Sequence, residues 1–149
     1  MTQQRRSVLV TGGSRGIGHA VAKELSKDHH VLVGGTHPDT VNAVVGQLDD
    51  AEPFIADLTD AQAVAEAVAA VDRLDAVVHS AGTYGSGNTL AQTSRSEWRD
   101  VLELNVVAVA DLTAQLLPLL RDSHGQIVMI NSGSGLHRPG PRTGVYAAS

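Results

Sequence analysis

Short apolar runs alternate with longer amphipathic stretches along the chain, and this alternation limits the fold more than any other feature of the sequence. The runs Val8–Val10, Val31–Val33, Phe54–Ala56, Ala76–Val78 and Ile127–Ile130 are continuous, as strands buried on both faces are. Between them, Ile17, Val21 and Leu25 predict one helix, Val41, Val44, Val45 and Leu48 a second, and Val64, Val68 and Val71 a third. A fourth is the longest. Ser94 and Glu97 read as a capping box, and Trp98, Leu102, Asn105, Val109, Leu112 and Leu116 then form one stripe. Pro118 is expected to end or kink it. Strands separated by helices build a parallel sheet. Right-handed crossovers put the first two helices on one face and the next two on the other. The expected fold is α/β, a doubly wound parallel sheet with five strands, in a single domain over residues 1–149. Gly82–Thr93 and Ser132–Val145 read as long loops, and both follow strand C-terminal ends, where open parallel sheets receive ligands.

Composition removes whole classes of function. The chain has no cysteine, which excludes disulfide scaffolds, thiol catalysis, Cys-held zinc and iron–sulfur clusters, and suits a reducing compartment. Sixteen acidic against eleven basic residues leave a net charge of −5, the wrong sign for a nucleic-acid partner. No apolar run is expected to reach the ~18–20 residues of a membrane span. After Arg5-Arg6 only Ser7–Val10 precede the glycines, too short for a signal-peptide core. The expectation is a cytosolic (cytoplasmic) protein with no membrane partner. His79, His124 and His137 lack metal-ligand spacing, so no metal is expected, and His29-His30 reads as a solvated pair.

The segment Thr11-Gly12-Gly13-Ser14-Arg15-Gly16-Ile17-Gly18 joins the first strand to the first helix. Glycines here permit unusual backbone angles, close approach of a pyrophosphate, and tight packing of helix on strand. The helix N-terminus adds free N–H groups and a positive dipole end. The spacing Gly-x-x-x-Gly-x-Gly differs from the usual Gly-x-Gly-x-x-Gly fingerprint, and no Gly-Lys-Ser/Thr follows to make a phosphate loop of the ATPase type. Taken alone, three glycines also suit a plain tight turn. With a strand before and a helix after, the turn points to a dinucleotide.

Here the sequence resembles the short-chain dehydrogenase/reductase family. Thr11–Gly18 is similar to its cofactor turn, which implies cofactor contacts at Gly12, Ser14, Arg15, Gly16, Ile17 and Gly18. Asp57-Leu58, after the third strand, matches the position whose carboxylate holds the adenine. Ser80-Ala81-Gly82 resembles the family's Asn-Ala-Gly, with Ser where Asn is usual. Asn105 matches its structural and catalytic Asn, and Ser132 and Tyr146, the latter within Tyr-Ala-Ala-Ser, match the catalytic Ser and Tyr. The resemblance implies a Rossmann-like fold and hydride transfer between a nicotinamide cofactor and a small alcohol/carbonyl substrate. It also implies a homo-oligomer for a full-length form.

NADP is the expected cofactor, with NAD the alternative. A carboxylate ending the second strand would bind the ribose 2′-hydroxyl. That region reads Val33-Gly34-Gly35-Thr36-His37-Pro38, with no acid before Asp39. Arg15 and Thr36 instead suit a 2′-phosphate, and His37 reads as a helix-start residue.

By resemblance, Tyr146 is the acid/base and Ser132 steadies the carbonyl oxygen, with Ser134 as the competing serine. Asn105 reads either as a satisfied core Asn or as one that bends its helix and anchors a proton-relay water. An unperturbed tyrosine has pKa ~10 and is only ~0.1% ionised at pH 7. The family lowers that value with a lysine one helical turn beyond the tyrosine. Here the sequence ends at Ser149, and its lysines are Lys23 and Lys27. The expectation is therefore a C-terminally incomplete domain, inactive by itself. Two readings are open: an NADP(H)-dependent oxidoreductase, or a dinucleotide-binding fragment or truncated product without turnover.

Overall fold

A computed structural model describes residues 5–149 of the chain. Five parallel strands, β1 (Ser7–Val10), β2 (His30–Gly35), β3 (Ala51–Ile55), β4 (Ala76–His79) and β5 (Gln126–Met129), form one sheet in the order β3-β2-β1-β4-β5. Val8 of β1 is in register with Val31 on one side and with Ala76 on the other. The chain reverses its direction of travel across the sheet between β1 and β4, which opens a crevice beyond their C-terminal ends.

Helices α1 (Gly16–Leu25) and α2 (Pro38–Val45) cover one face, where Ala22, Val41 and Val44 pack on Val8, Val10, Val31, Val33 and Val78. The other face carries α3 (Ala61–Ala69) and α5 (Ala108–Asp122), where Val64, Leu112, Leu116 and Leu120 meet Leu9, Leu32, Phe54 and Val77. The two-and-two distribution expected from crossover handedness is present.

Several local expectations are corrected. β3 begins at Ala51, earlier than the apolar run, because Glu52 and Pro53 lie exposed in the outermost strand; an edge is where a proline fits a sheet. Ile17 does not face the core but is 62% exposed, since the helix starts at Gly16 beyond the strand end. Ser94 Oγ accepts from Glu97 N at 3.1 Å, but the Glu97 carboxylate turns away from the cap to Ser86. Pro118 does not end its helix. It sits on the exposed side, while Leu112, Leu116 and Leu120 keep the buried stripe continuous through it. His30 is not simply solvated: its Nδ1 meets Asp50 Oδ1 at 2.8 Å.

The long helix is α4 (Arg95–Leu102), a π-helical segment (Glu103–Val107) and α5 in one rod. Over Arg95–Asp122 its length and composition suffice for a membrane span, contrary to the expectation that no apolar run is that long. Its buried leucine stripe packs on the sheet as a core helix does.

Candidate functional site

The crevice at the C-terminal edge is a cleft of about 1090 Å³, large enough for a dinucleotide. One wall is the turn between β1 and α1. Gly12 has φ +63°, and a Cβ there would lie 2.9 Å from Ala81 Cα; one on Gly18 would overlap the Gly12 carbonyl oxygen. Thr11 closes the joint. It is buried, and its Oγ1 accepts from Ser80 N at 3.0 Å and Ala81 N at 3.1 Å, so the glycine turn and the loop after β4 share one hydroxyl.

Helix α1 has no side-chain cap at Arg15, whereas Asp60 caps α3 through Gln62 N and Ala63 N, and Ser94 caps α4. Uncapped N–H groups facing a cleft are an anion site in waiting. Beyond β2, exposed Thr36 and the N-cap His37 are linked, Oγ1 to Nδ1, at 2.7 Å. Asp57 Oδ1 accepts from Thr59 N (2.9 Å) and Thr59 Oγ1 (2.7 Å). These bonds hold its carboxyl below the usual range.

The opposite wall combines the end of β5, the π-helical segment and α6 (Gly144–Ala148). Ser132 Oγ donates to Ser134 Oγ and accepts from Ser134 N, both at 3.2 Å. Ser132 lines the cleft and Ser134 does not. Asn105 lies within the π-helical segment, a bulge frequent at functional sites. Its Oδ1 accepts from Thr83 N (2.8 Å), and its Nδ2 donates to Thr83 O (2.9 Å) and Ser149 Oγ (2.8 Å). Tyr146, on α6, packs against Tyr84.

The residues assigned from the sequence to the cofactor and to the chemistry line this one cleft: Gly12, Ser14, Arg15, Gly16, Ile17, Gly18, Thr36, Asp57, Leu58, Ser80, Ala81 and Gly82 with Asn105, Ser132 and Tyr146. Sequence reasoning missed Thr11 as the joint, and it missed Tyr84 and His79. His79 ends β4 in the cleft floor, 4% exposed. The Thr113 hydroxyl donates to Val109 O at 2.6 Å, so the proton in its 2.9 Å bond to His79 Nε2 belongs to histidine. His79 Nδ1 has no partner among the described residues, and burial lowers the ring's pKa. Burial thus favours the neutral ring, which the residue's type does not reveal. Among the described residues no metal-ligating cluster exists.

Comparison with known proteins follows the same outline. The short chain dehydrogenase family model matches residues 6–149. The oxidoreductase YciK of Escherichia coli, itself uncharacterized, is 32% identical over 97% of this chain and 62% of its own length. An NADPH-dependent pterin aldehyde reductase of Arabidopsis thaliana is 29% identical over 91% of this chain and 59% of its own. A short chain dehydrogenase of Shigella flexneri 2a, solved in complex with NADP, superposes with TM-score 0.89 at 30% identity, covering 97% of this chain and 66% of that one. The chain thus spans about three-fifths of the length of these two curated relatives.

Proposed function

The chain belongs to the short chain dehydrogenase family, and from that premise we propose that it is the dinucleotide-binding part of an NADP(H)-dependent oxidoreductase that interconverts a carbonyl and an alcohol. One observation carries the reading: an uncapped, glycine-lined helix N-terminus and the Ser132–Tyr146 pair line the same cleft. The pterin aldehyde reductase and the NADP complex among its relatives support a carbonyl substrate and this cofactor. The whole chain acts as one domain in this reading. The absence of cysteine supports a cytosolic setting, and a homo-oligomeric full-length form is part of the same proposal.

The residues fit the cofactor. Gly12 lets the turn close on Ala81, and Gly18 lets α1 start against the Gly12 carbonyl, which sets the α1 N–H groups to receive the charge of a pyrophosphate. Asp57 takes the adenine. Arg15 and Thr36 meet a 2′-phosphate, and no carboxylate stands at the end of β2 to prefer a free ribose hydroxyl. The bound nicotinamide supplies or accepts the hydride. Ser132 turns its hydroxyl from Ser134 to the substrate oxygen and stabilises charge developing there. The Tyr146 hydroxyl gives that oxygen its proton in reduction and removes it in oxidation. Asn105 spends its amide on Thr83 and Ser149, which supports a role in holding the site together.

A second reading, a dinucleotide-binding module without turnover, is favoured by the lysines. Lys23 lies on α1, and Lys27 follows it and pairs with Glu24; neither lines the cleft beside Tyr146.

Titration with NADPH and NADH tests the cofactor assignment. Arg15→Ala is expected to weaken NADPH by about 10- to 150-fold, the worth of a charge-assisted hydrogen bond, and to leave NADH unchanged. Equal affinity of the unaltered protein for both cofactors refutes the NADP assignment. Tyr146→Phe is expected to abolish NADPH-dependent carbonyl reduction with NADPH affinity kept within a few-fold. NADPH binding with no turnover in the unaltered protein selects the second reading.

A further inference from the structure

Tyr84 belongs to none of the motifs above, yet its ring lies against that of Tyr146, with centroids 4.9 Å apart and planes tilted by 41°. Both line the cleft. Tyr84 sits on the loop leaving β4, and loops by themselves hold a side chain poorly. This loop is fixed on both sides of Tyr84. On one side, the Asn105 amide grips Thr83 N and Thr83 O. On the other, Glu97 Oε1 accepts from Ser86 Oγ at 2.5 Å and Ser86 N at 2.8 Å; these bonds keep its carboxyl ionised below the usual range.

Both grips come from one continuous rod, so they do not move independently. Between them Gly85 is wedged: a Cβ there would lie 3.2 Å from Val101 Cγ2 on α4 and 3.4 Å from Val145 Cγ1 on α6. Val145 is buried and immediately precedes Tyr146. Helix α6 has only five residues, too few to fix its own orientation. Its orientation comes from its surroundings, which include the Gly85 backbone next to Val145 and the Asn105 amide bound to Ser149 Oγ at its end.

We propose that Tyr84 is a positioning residue for Tyr146: its ring is a stop that sets the direction of the Tyr146 phenol in the cleft, and Asn105 and Glu97 hold the stop in place through Thr83 and Ser86. The inference rests on the reading of Tyr146 as the acid/base. A stop acts through its ring, and the Tyr84 hydroxyl makes no hydrogen bond among the described residues. Phenylalanine therefore replaces it and alanine does not.

The chain has two tyrosines, which makes the test direct. With 13C at the tyrosine ζ carbon, the unaltered protein gives two ring resonances, and Tyr84→Phe and Tyr84→Ala each leave only that of Tyr146. In Tyr84→Ala the Tyr146 resonance is expected to move toward that of free tyrosine. Reduction of 2,3-butanedione by NADPH should fall in kcat by about 2- to 12-fold, the worth of an aromatic pair, with NADPH affinity within two-fold. Tyr84→Phe restores both. Tyr84→Leu, which keeps more apolar volume, substitutes if the alanine variant fails to fold. An unmoved Tyr146 resonance in the alanine or leucine variant overturns the inference, whatever the activity. So does a phenylalanine variant as impaired as the alanine one, because the hydroxyl is then the active part. Tyr146→Phe controls the underlying reading: full turnover there removes the acid/base assignment and with it the inference, even if the resonance shows that the rings touch.

Discussion

On the β1–α1 side of the cleft, the residues proposed to receive an anion lie within a few consecutive positions. On the far side, Asn105 reaches 22 residues back to Thr83 and 44 forward to Ser149, and Tyr146 stands where a loop, a π-helical segment and a short helix converge. The strands differ in the same sense. Leu9 and Val10 are completely buried, whereas Ile127, Val128 and Met129 of β5 are 42–59% exposed. The contrast teaches that binding and chemistry are supported differently here. The proposed nucleotide side is a local motif clamped in the core, and the proposed catalytic side is an assembly that depends on a few long-range hydrogen bonds.

The sharpest way to break this contrast is to truncate one strand side chain to alanine on each side. Leu9→Ala removes a fully buried side chain from the centre of the sheet and is expected to cost about 2–5 kcal/mol. Val128→Ala on β5, which is 43% exposed, is expected to cost roughly 1 kcal/mol or less. Urea denaturation of both variants measures the difference, and equal midpoints would erase the distinction.

A smaller effect comes from the residue that ties the two sides together at the opposite end of the sheet. The buried Asp75 carboxylate accepts from Ser7 N on β1 at 2.9 Å and from Arg73 Nη2 and Nε at 2.7 and 3.0 Å. Arg73 holds it below the usual carboxylate range; burial works against this and the Ser7 amide assists. A depressed pKa stabilises the fold above the unfolded value of ~3.9 and ceases to do so as pH falls through the lower folded value. Asp75→Ala should cost about 1–3 kcal/mol at neutral pH and remove that part of the acid slope. Unchanged melting at both neutral and acidic pH would show that the tie carries no load.

The smallest effect lies at the start of β2, at the end of the sheet away from the cleft. Burial disfavours charge on His30, but hydrogen bonds and charges from Asp50 and Glu52 outweigh it and raise its pKa. That contribution is fully present below the unfolded value of ~6.5 and fades as pH rises through the folded one. These side chains are a third or more exposed, so only a few tenths of a kcal/mol is expected. His30→Gln should flatten the difference in melting temperature between about pH 6 and pH 8. A variant that keeps the full difference would place its origin elsewhere.

What was legible in the sequence follows the same division. The buried strands and the glycine turn announce themselves because burial on both faces demands continuous apolar runs and because a backbone in close contact excludes side chains. β3 was legible only in part, since an edge strand tolerates Glu52 and Pro53 and so loses the apolar signal. Pro118 misled because its cost depends on which side of the helix it occupies, and that side is set by packing.

The sequence by itself determined the order of strands and helices, the two-faced sheet and the glycine turn between β1 and α1. All of these depend on local periodicity and on which residues lack a Cβ. Only the tertiary structure decided the rest: the π-helical segment that carries Asn105, the Thr11 hydroxyl shared between two loops, the burial of His79 and the Tyr84 ring against Tyr146. A one-residue shift in helix hydrogen bonding requires no particular side chain. Contacts between residues far apart in the chain leave no period to read, so they come into being only when the elements pack.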